Sequence, residues 1–404
     1  MALSDQLRDD ATAMSDDLVD LRHRLHQHPE IGLDLPVTQR MVLEALEDLP
    51  LEISTGTALT SVTAVLRGGR PGPAVLLRGD MDGLPVQEET GLEWASRVDG
   101  AMHACGHDLH TAMLVGAARL LSAHRDALAG DVVFMFQPGE EGHDGAAHML
   151  REGVLEAAGR RVSSAYGMHV FSSQFPRGTF TARAGTLMAA SDGLHVTVRG
   201  SGGHGSMPHL ARDPISVAAE IVTALQTTVT RRFDIFDPVV VTVGLFHAGT
   251  RRNVIPDEAR FEATIRSFSA TSREQIRRIA PQLCRDVAAA HGLEADAEYH
   301  DEYPATVNDP AHVDFAADVV QEVFGGDRYV PMPSPSAGAE DFSRVLEAVP
   351  GCYIFLGAHV GDDPMAVATN HSPRAAFVDD VMPDGVRLHA ELAVRALERD
   401  ANQL

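Results

Sequence analysis

Residues 132–142 read VVFMFQPGEEG, and this stretch decides the fold class. The short apolar run at 132–136 is of the kind that is buried in a mostly parallel sheet. A Pro-Gly turn ends the run and is followed at once by Glu140 and Glu141. In open α/β sheets the functional site lies beyond the carboxyl ends of the strands. We therefore expect these two carboxylates to lie at such a site.

Two other apolar runs end in the same way. Residues 74–77, AVLL, lead into a segment that contains Asp80 and Asp82, and residues 165–168, AYGM, lead into His169. A helical pattern lies between two of the three runs. This alternation predicts an α/β domain. Because three predicted strand ends deliver ligand-type residues, they are predicted to form one shared site.

The pattern changes from about residue 191 and predicts a second domain. Strand-like and helical segments then follow in the order βαββαβ, at 194–198, 215–230, 239–245, 258–268, 272–291 and 295–299. Such an order is typical of a small α+β domain. Beyond residue 300 the α/β pattern returns. We predict a discontinuous catalytic α/β domain with a mixed, mostly parallel sheet over residues 1–189 and 301–404, interrupted by an α+β domain at 190–300.

Composition restricts the possible partners and the compartment. The formal net charge of −24 disfavours nucleic acid and anionic membranes as partners. The acidic N-terminus has no apolar segment of the signal-peptide kind, and no apolar stretch reaches the length of about 18 residues that a membrane helix needs. Three cysteines cannot form a disulfide framework. We therefore expect a cytoplasmic globular protein.

Cys105 and His107 lie two residues apart in the segment MHACGHD. Taken alone, they are as typical of a buried cysteine with a helix-capping histidine as of a functional site. The adjacent Glu140 and Glu141 change this balance, because two like charges at a buried strand end are costly unless a cation is present. Thiolate, imidazole and carboxylate together suit a borderline transition metal. In a hydrolase, one glutamate binds metal and the other takes a proton from water.

Most of the 20 histidines must be structural or exposed, so each candidate needs its own argument. His169 ends a predicted strand, and His371 lies in the polar loop NHSP. The segment 200–205 fits the pattern GxGxxG, but no helix opens directly on its third glycine. A dinucleotide site is therefore not predicted, and we expect these glycines to free a loop that carries His204 to a ligand.

A cysteine nucleophile is an alternative within this chemistry. Cys105 could attack a substrate with His103 or His107 as its base. That assignment would leave the paired glutamates unexplained. It predicts activity that survives chelation and is lost on alkylation of the thiol.

Taken together, these motifs resemble the M20 metallopeptidase family. The best match is its amidohydrolase branch, which includes hippurate hydrolases, plant auxin-conjugate hydrolases, N-acyl-amino-acid deacylases and N-acetyldiaminopimelate deacetylases. The resemblance runs nearly end to end, and its stretches are RHRLHQHPEIG at 22–32, RGDMDGLP at 78–85, MHACGHDLHTAML at 102–114, QPGEEG at 137–142, GMHV at 167–170, GGHGSMPH at 202–209, NVIPDEARF at 253–261, GAEDFS at 338–343 and NHSP at 370–373.

The resemblance implies a site for two divalent metal ions, with Zn, Mn, Co and Ni all compatible with the ligand types. Cys105 matches the bridging ligand of the family. Glu140 matches the general base, which later protonates the leaving amine. The positions that match the remaining protein ligands are His107, Glu141, His169 and His371.

The inserted domain resembles the family's lid, which commonly also dimerises. The resemblance implies a homodimer or higher homo-oligomer. His204 matches the histidine that stabilises the tetrahedral oxyanion, usually delivered from the partner subunit. Asn253 and Arg266 match positions that bind substrate, with Arg266 a candidate for pairing with a carboxylate.

Two departures from the wider family place the chain in the amidohydrolase branch. Many relatives have His-x-Asp after the first strand, where this chain has Asp80 and Asp82. Cys105 stands where those relatives have a bridging aspartate. Asp80 and Asp82 are therefore predicted to orient metal ligands rather than to bind metal themselves.

The expected activity is hydrolysis of an N-acyl amino acid to a carboxylate and a free amino acid. An alternative on the same scaffold is a metallo-dipeptidase or carboxypeptidase, distinguished by whether it tolerates a free α-amine on the substrate. A catalytically silent, metal-bearing binding protein is a further alternative. It would require a lost base or ligand, and none of the expected residues is missing.

Overall fold

The computed structural model describes residues 3–401. Its helices are α1 (Leu3–Ala13), α2 (Ser15–His26), α3 (Pro36–Leu46), α4 (His107–Ala123), α5 (Glu140–His143), α6 (Gly145–Arg151), α7 (Pro214–Arg232), α8 (Ala270–Ala290), α9 (Pro310–Phe324), α10 (Ser343–Ala348) and α11 (Met382–Ala401). Its strands are β1 (Leu51–Thr55), β2 (Val62–Leu66), β3 (Ala74–Asp80), β4 (Asp131–Gln137), β5 (Ser164–Phe171), β6 (Phe180–Thr181), β7 (Gly185–Met188), β8 (Ala190–Arg199), β9 (Gly203–His204), β10 (Val239–Ala248), β11 (Val254–Ile255), β12 (Glu258–Ser267), β13 (Glu294–Tyr303), β14 (Thr306–Asn308) and β15 (Gly351–Gly357).

The chain forms two compact units. The first contains the described residues through Gly185, Val307–Ser334 and the described residues from Arg344 onward. The second contains Thr186–Thr306 and Pro335–Ser343. Each unit has its own hydrophobic core.

The first unit is built on a seven-stranded sheet with the order β1-β2-β4-β3-β5-β15-β6. The four central strands, β4, β3, β5 and β15, pair in parallel, whereas the outer strands pair antiparallel. The predicted α/β class with a mixed sheet is therefore confirmed, and parallel pairing is confined to its centre. Every residue of β3 and β4 is buried, as expected for strands that are covered on both faces.

The second unit has a four-stranded antiparallel sheet with the order β10-β12-β8-β13. Helices α7 and α8 pack on this sheet and against each other. Its core includes Leu194, Phe261 and Ile276, each with no exposed surface. Asp213 caps α7 by accepting a hydrogen bond from the backbone N–H of Ile215 at 2.9 Å. The element order β8-α7-β10-β12-α8-β13 has the βαββαβ pattern read from the sequence.

Within residues 3–401, no helix is both long and apolar enough to span a bilayer.

His389 on α11 is a buried base that makes the stability of the first unit depend on pH. It is 2% exposed, and within the described residues its Nδ1 has no hydrogen-bond partner. Burial, with a smaller contribution from His110, lowers the pKa of His389 to about 3. The unfolded chain takes up this proton near pH 6.5, the ordinary value, so it binds more protons than the folded protein between pH 6.5 and 3. Stability therefore falls as the pH is lowered through this window.

We expect the wild type to lose about 2 kcal/mol more unfolding free energy than His389→Leu between pH 6.5 and pH 4.5, since one proton contributes about 1.4 kcal/mol per pH unit. The measurement is urea unfolding of both proteins at the two pH values. Comparing the changes removes the contribution of the other titrating groups. Equal losses in the two proteins would contradict the prediction.

Candidate metal centre

Three neighbouring parallel strands bring the candidate residues to one edge of the sheet. β3 ends at Asp80, with Asp82 two residues beyond it. β4 is followed by Glu140 and Glu141, and β5 carries His169 near its end. Because β4, β3 and β5 are adjacent and parallel, their carboxyl ends meet. The pairing of these strands thus brings together in one site residues that are about 90 positions apart in the sequence.

The segment that carries Cys105 and His107 passes close to β5. Gly106 between them has a φ of +86°, and α4 begins at His107. A Cβ atom at Gly106 would lie 2.4 Å from Cγ2 of Val170. Only glycine suits both this conformation and this close approach. The turn delivers the thiol and the imidazole to the ends of the parallel strands.

The thiol of Cys105 is shared by two groups of ligand-type side chains. In the first, one donor atom each from Cys105, His107 and His169 lie within 4.8 Å of one another. The Sγ of Cys105 is 3.4 Å from Nε2 of His169. The Nδ1 of His169 lies 2.8 Å from the backbone carbonyl of Val170, which requires a proton on Nδ1 and leaves Nε2 with its lone pair.

The second group contains Cys105, Glu141 and His371. The Nε2 of His371 lies 3.2 Å from the Sγ of Cys105 and 3.1 Å from Oε1 of Glu141. The neighbouring thiol of Cys105, and then the carboxylate of Glu141, raise the pKa of His371 to about 10. This pocket therefore strongly favours positive charge. Two groups that share one sulfur have the arrangement expected of a dinuclear site with a bridging thiolate.

Several buried polar atoms of the candidate site have no hydrogen-bond partner, and they indicate whether a metal ion suits it. Among the described residues, both ring nitrogens of His107 and Oε1 of Glu141 are buried and make no hydrogen bond. Oε1 of Glu141 is within 3.1 Å of His371, but the two groups are not aligned as donor and acceptor. Buried polar atoms without partners are costly, and ligand atoms that face a common cation have this geometry. The donor set of sulfur, nitrogen and carboxylate oxygen fits a divalent transition metal.

Asp82 orients the two glutamates. Its Oδ1 accepts a hydrogen bond from the backbone N–H of Glu140 at 3.0 Å, and its Oδ2 accepts one from the backbone N–H of Glu141 at 3.0 Å. Oδ1 of Asp82 is also 3.4 Å from Nδ1 of His107. A single carboxylate thus holds the backbone of both glutamates and lies beside a candidate ligand. This geometry supports the predicted orienting role of Asp82.

Asp80 has a different set of partners. It accepts hydrogen bonds from Nη1 of Arg78 at 2.6 Å and from Nδ1 of His110 at 2.5 Å, and it lies 3.5 Å from Nε2 of His107. Burial alone would raise the pKa of Asp80, but Arg78, His107 and His110 outweigh burial and hold that pKa well below its usual value. Asp80 is therefore an anion that faces His107.

His110 lies close enough to Asp80 and His107 to be considered as a further ligand. Its Nε2 accepts a hydrogen bond from the backbone N–H of Val170 at 2.8 Å, so its proton is on Nδ1 and is donated to Asp80. Both ring nitrogens are therefore occupied. We assign His110 to the support of Asp80 and exclude it from the ligand set.

A buried ion network lies behind His107 and was not identified from the sequence. Asp108 accepts hydrogen bonds from Nε of Arg22 and from Nδ1 of His26, both at 2.8 Å. Arg22 also donates to Asp379 at 2.6 Å. The side chains of Arg22 and Asp108 have no exposed surface. The network connects α2 and the C-terminal segment to the first turn of α4. Its only signal in the sequence was the resemblance of residues 22–32, RHRLHQHPEIG, to the M20 family.

Of the two bases considered for a thiol nucleophile, the structure disfavours His103. Within the described residues neither ring nitrogen of His103 makes a hydrogen bond, so His103 is not positioned to take a proton from Cys105. Burial lowers the pKa of His103 to about 4. The sulfur contacts His169, His371 and the side-chain amide of Asn370, and a ring nitrogen of His107, the other base considered, lies within 4.8 Å of it.

His204, Asn253 and Arg266 lie in the second unit. The two-residue strands β9 and β11 pair so that His204 stands opposite Val254, and the backbone N–H of Gly205 donates to the carbonyl of Asn253 at 2.9 Å. Nδ1 of His204 accepts a hydrogen bond from the backbone N–H of Ser206 at 3.2 Å. The proton of the neutral ring is therefore on Nε2, which makes the exposed His204 a hydrogen-bond donor.

Arg266 lies on β12 and is held in place by its neighbours. Its Nη1 donates to the hydroxyl of Ser191 at 2.6 Å and to that of Thr264 at 2.8 Å. Burial lowers the pKa of Arg266 from its ordinary value, although arginine stays charged. All of its hydrogen bonds to other described residues leave from Nη1, which is compatible with the predicted binding of an anion.

Comparisons with known proteins agree with this geometry. The profile of Peptidase family M20/M25/M40 matches residues 76–395. Thermostable carboxypeptidase 1 of Saccharolobus solfataricus is 37% identical over 98% of this chain and 99% of its own length. N-acetylcysteine deacetylase of Bacillus subtilis is 35% identical over 94% of this chain and 97% of its own length. The crystal structure of the Bacillus subtilis YXEP protein, a dinuclear metal binding peptidase from the M20 family, matches with a TM-score of 0.82 and 33% identity over 96% of this chain and 99% of that chain.

The profile match and the full-length relatives cover the segments that carry both candidate ligand groups. The similarity to a dinuclear metal-binding structure agrees with two ligand groups that share Cys105. The chain belongs to Peptidase family M20/M25/M40 and is a metal-dependent hydrolase.

Proposed function

We propose that this hydrolase cleaves the amide bond of N-acyl amino acids and releases a carboxylate and a free amino acid. The observation that carries the proposal is the glutamate pair at the end of β4. Asp82 holds both backbone amides, so Glu141 can face the shared thiolate while Glu140 stays beside it as a base. A metal hydrolase needs this division between a ligand and a carboxylate that is not a ligand.

The proposed metal ligands are Cys105, His107, Glu141, His169 and His371. Two bound divalent ions would acidify the attacking water and polarise the scissile carbonyl. Glu140, which is 6% exposed, accepts the proton of that water as its oxygen attacks the acyl carbon. The same carboxyl then donates the proton to the amide nitrogen as the carbon–nitrogen bond breaks. One residue therefore serves both proton transfers.

The second unit supplies the groups that act on the substrate. Nε2–H of His204 is the proposed donor to the tetrahedral oxyanion, because Ser206 occupies Nδ1. Arg266 is the proposed partner of the substrate's free carboxylate, with Asn253 beside His204 as a second polar contact. This assignment explains why an amino-acid product, rather than a simple amine, is expected.

We also infer that the second unit mediates homodimer formation. β10 is an edge strand of its sheet, and Val240, Leu245 and Phe246 on this strand are 45%, 37% and 40% exposed. Ile235 and Phe236, just before the strand, are 78% and 89% exposed. An exposed apolar edge strand is a site at which a second chain can add. Light scattering that gives one chain per particle would contradict this inference.

A carboxypeptidase is the second candidate function. It is favoured by the full-length similarity to thermostable carboxypeptidase 1. The chemistry at Glu140 would be the same, and only the group on the acyl side of the bond would differ. A catalytically silent protein is not favoured, because every candidate ligand and Glu140 lie together in the first unit.

Amino-acid release from a mixed panel tests the proposal. The panel contains hippurate, N-acetyl amino acids, long-chain N-acyl amino acids, dipeptides and peptides blocked at the N-terminus. Each substrate is assayed on protein treated with a chelator and again after Zn, Mn, Co or Ni is restored. We expect release from the acylated amino acids, abolished by chelation and restored by metal.

Activity confined to dipeptides or blocked peptides would replace the proposal with the peptidase assignment. Activity that survives chelation and is lost on thiol alkylation would instead support the cysteine nucleophile.

A further inference from the structure

Asn370 precedes the candidate ligand His371 and contacts two other parts of the metal centre. Its Nδ2 donates to the carbonyl of Cys105 at 3.3 Å, to the carbonyl of Val170 at 3.1 Å and to the Sγ of Cys105 at 3.8 Å. Its Oδ1 accepts hydrogen bonds from the backbone N–H and the hydroxyl of Ser172, both at 2.9 Å. One side-chain amide thus joins the Cys105 segment, the end of β5 and the His371 loop.

The orientation of this amide is determined by backbone groups. The N–H of Ser172 can only donate, so the atom that faces it must be the amide oxygen. The carbonyls of Cys105 and Val170 can only accept, so the atom that faces them must be the amide nitrogen. The amide cannot flip without losing both sets of bonds. The two N–H groups of Nδ2 are shared among these two carbonyls and the Sγ of Cys105, so a donor is held towards the sulfur.

The loop that follows Asn370 is in a conformation that L-residues rarely adopt. His371 has a φ of +69°, and its backbone N–H donates to the carbonyl of Ala104 at 2.9 Å. A non-glycine residue in the left-handed region persists where the surrounding structure determines it. The bonds of Asn370 on one side and of Ala104 on the other hold this conformation, in which the ring reaches both Cys105 and Glu141.

We propose that Asn370 is a positioning residue of the metal centre. Its amide fixes the position of the shared thiolate of Cys105 relative to the strained His371 loop, and it donates an N–H to the sulfur. This inference rests on the proposed metal centre and extends it to a residue that does not bind metal. The N–H withdraws charge from the thiolate and lowers the energy of its lone pair, so Asn370 affects the electronic state of the sulfur as well as its position.

The test uses full-length protein loaded with Co²⁺, in which a thiolate ligand gives a sulfur-to-cobalt charge-transfer band in the near ultraviolet. Asn370→Ala removes the N–H donor, which raises the energy of the sulfur lone pair. We expect the band to move to lower energy and the affinity for Co²⁺, measured by competition with a chromophoric chelator, to fall about 10- to 100-fold.

Ser172→Ala is the matched control. It removes the hydroxyl bond to Oδ1 but leaves every contact between the amide and Cys105. We expect this variant to keep the wild-type band position and affinity. A merely structural role for Asn370 would lower the melting temperature of Asn370→Ala without moving the band. If Asn370→Ala does not fold, Asn370→Asp keeps the acceptor for Ser172 but replaces the donor with an anionic oxygen, so it should shift the band in the same direction and further.

The outcomes separate this inference from the proposed centre. A charge-transfer band that is present in the wild type and unmoved in Asn370→Ala, with unchanged affinity, would overturn the role of Asn370 alone. A wild-type protein that binds Co²⁺ without any thiolate band would overturn the ligation by Cys105, and the role of Asn370 with it.

Discussion

Replacing Glu140 with glutamine is expected to lower kcat by about 10³- to 10⁴-fold with bound metal retained. A positioned general acid or base contributes about 10²- to 10⁴-fold, and Glu140 is proposed to serve in both proton transfers. Glutamine has nearly the same shape and keeps the backbone N–H that donates to Asp82, so the strand end should be preserved. The measurement is steady-state turnover of the best acylated substrate, together with the metal content of the purified variant.

The loss of kcat in Glu140→Gln is to be compared with that in His204→Ala. Loss of one oxyanion donor costs about 10²- to 10³-fold in kcat, so this variant should be less impaired than Glu140→Gln. His204 lies in the second unit and is not one of the candidate ligands, so the metal content should not change. Near-normal turnover by metal-loaded Glu140→Gln would refute the assignment of Glu140 as the base.

Replacing Cys105 with alanine is expected to lower both metal occupancy and turnover by more than about 100-fold. Loss of a group that only orients a ligand typically lowers metal affinity or activity about 10- to 100-fold. Cys105 should cost more, because its sulfur belongs to both ligand groups. Cys105→Asp restores an anionic side chain that can bridge two metals. We expect Cys105→Asp to bind metal and to recover part of the activity, with harder ions such as Mn²⁺ favoured.

This pair of variants also separates metal chemistry from a cysteine nucleophile. A nucleophilic role would leave both variants equally inactive, because neither retains a thiol. Metal content by elemental analysis and turnover with added Mn²⁺ or Zn²⁺ are the two measurements. Cys105→Asp with full metal content and no activity above Cys105→Ala would contradict the bridging role.

The sequence alone predicted the class of the fold because its signals are local. The apolar run of β4 and the turn that ends it lie within eleven residues, and the helical periodicity of α7 and α8 is contained within each helix. The same locality explains why Cys105, His107 and the glutamate pair stood out. Their roles as ligands and base stay predictions, supported by the shared position of their side chains in the first unit.

The antiparallel direction of the outer strands of the central sheet could not be predicted from local sequence. Whether β2 runs parallel or antiparallel to β4 depends on connections between strands, and the register pairs residues about 70 positions apart. The pattern of exposed and buried residues in β2 is compatible with either direction. The sequence therefore predicted a mixed, mostly parallel sheet without assigning its antiparallel strands, and the structure places the parallel pairing among the four central strands.

By itself the sequence determined an α/β scaffold with an inserted α+β domain, carboxylate and imidazole groups at predicted strand ends, and a thiolate just before a predicted helix. Tertiary structure decided how those groups are held. Asn370 meets Cys105 across 265 residues, and Arg22 meets Asp108 across 86, so no local pattern reveals either contact. His110 is a histidine in the same segment as the candidate ligand His107, so residue type and position do not distinguish the two. Only the hydrogen bonds of His110 to Val170 and Asp80 exclude it from the ligand set. The physical reason is that residue type and spacing are local properties of the chain, whereas hydrogen-bond direction and burial arise only when distant segments pack together.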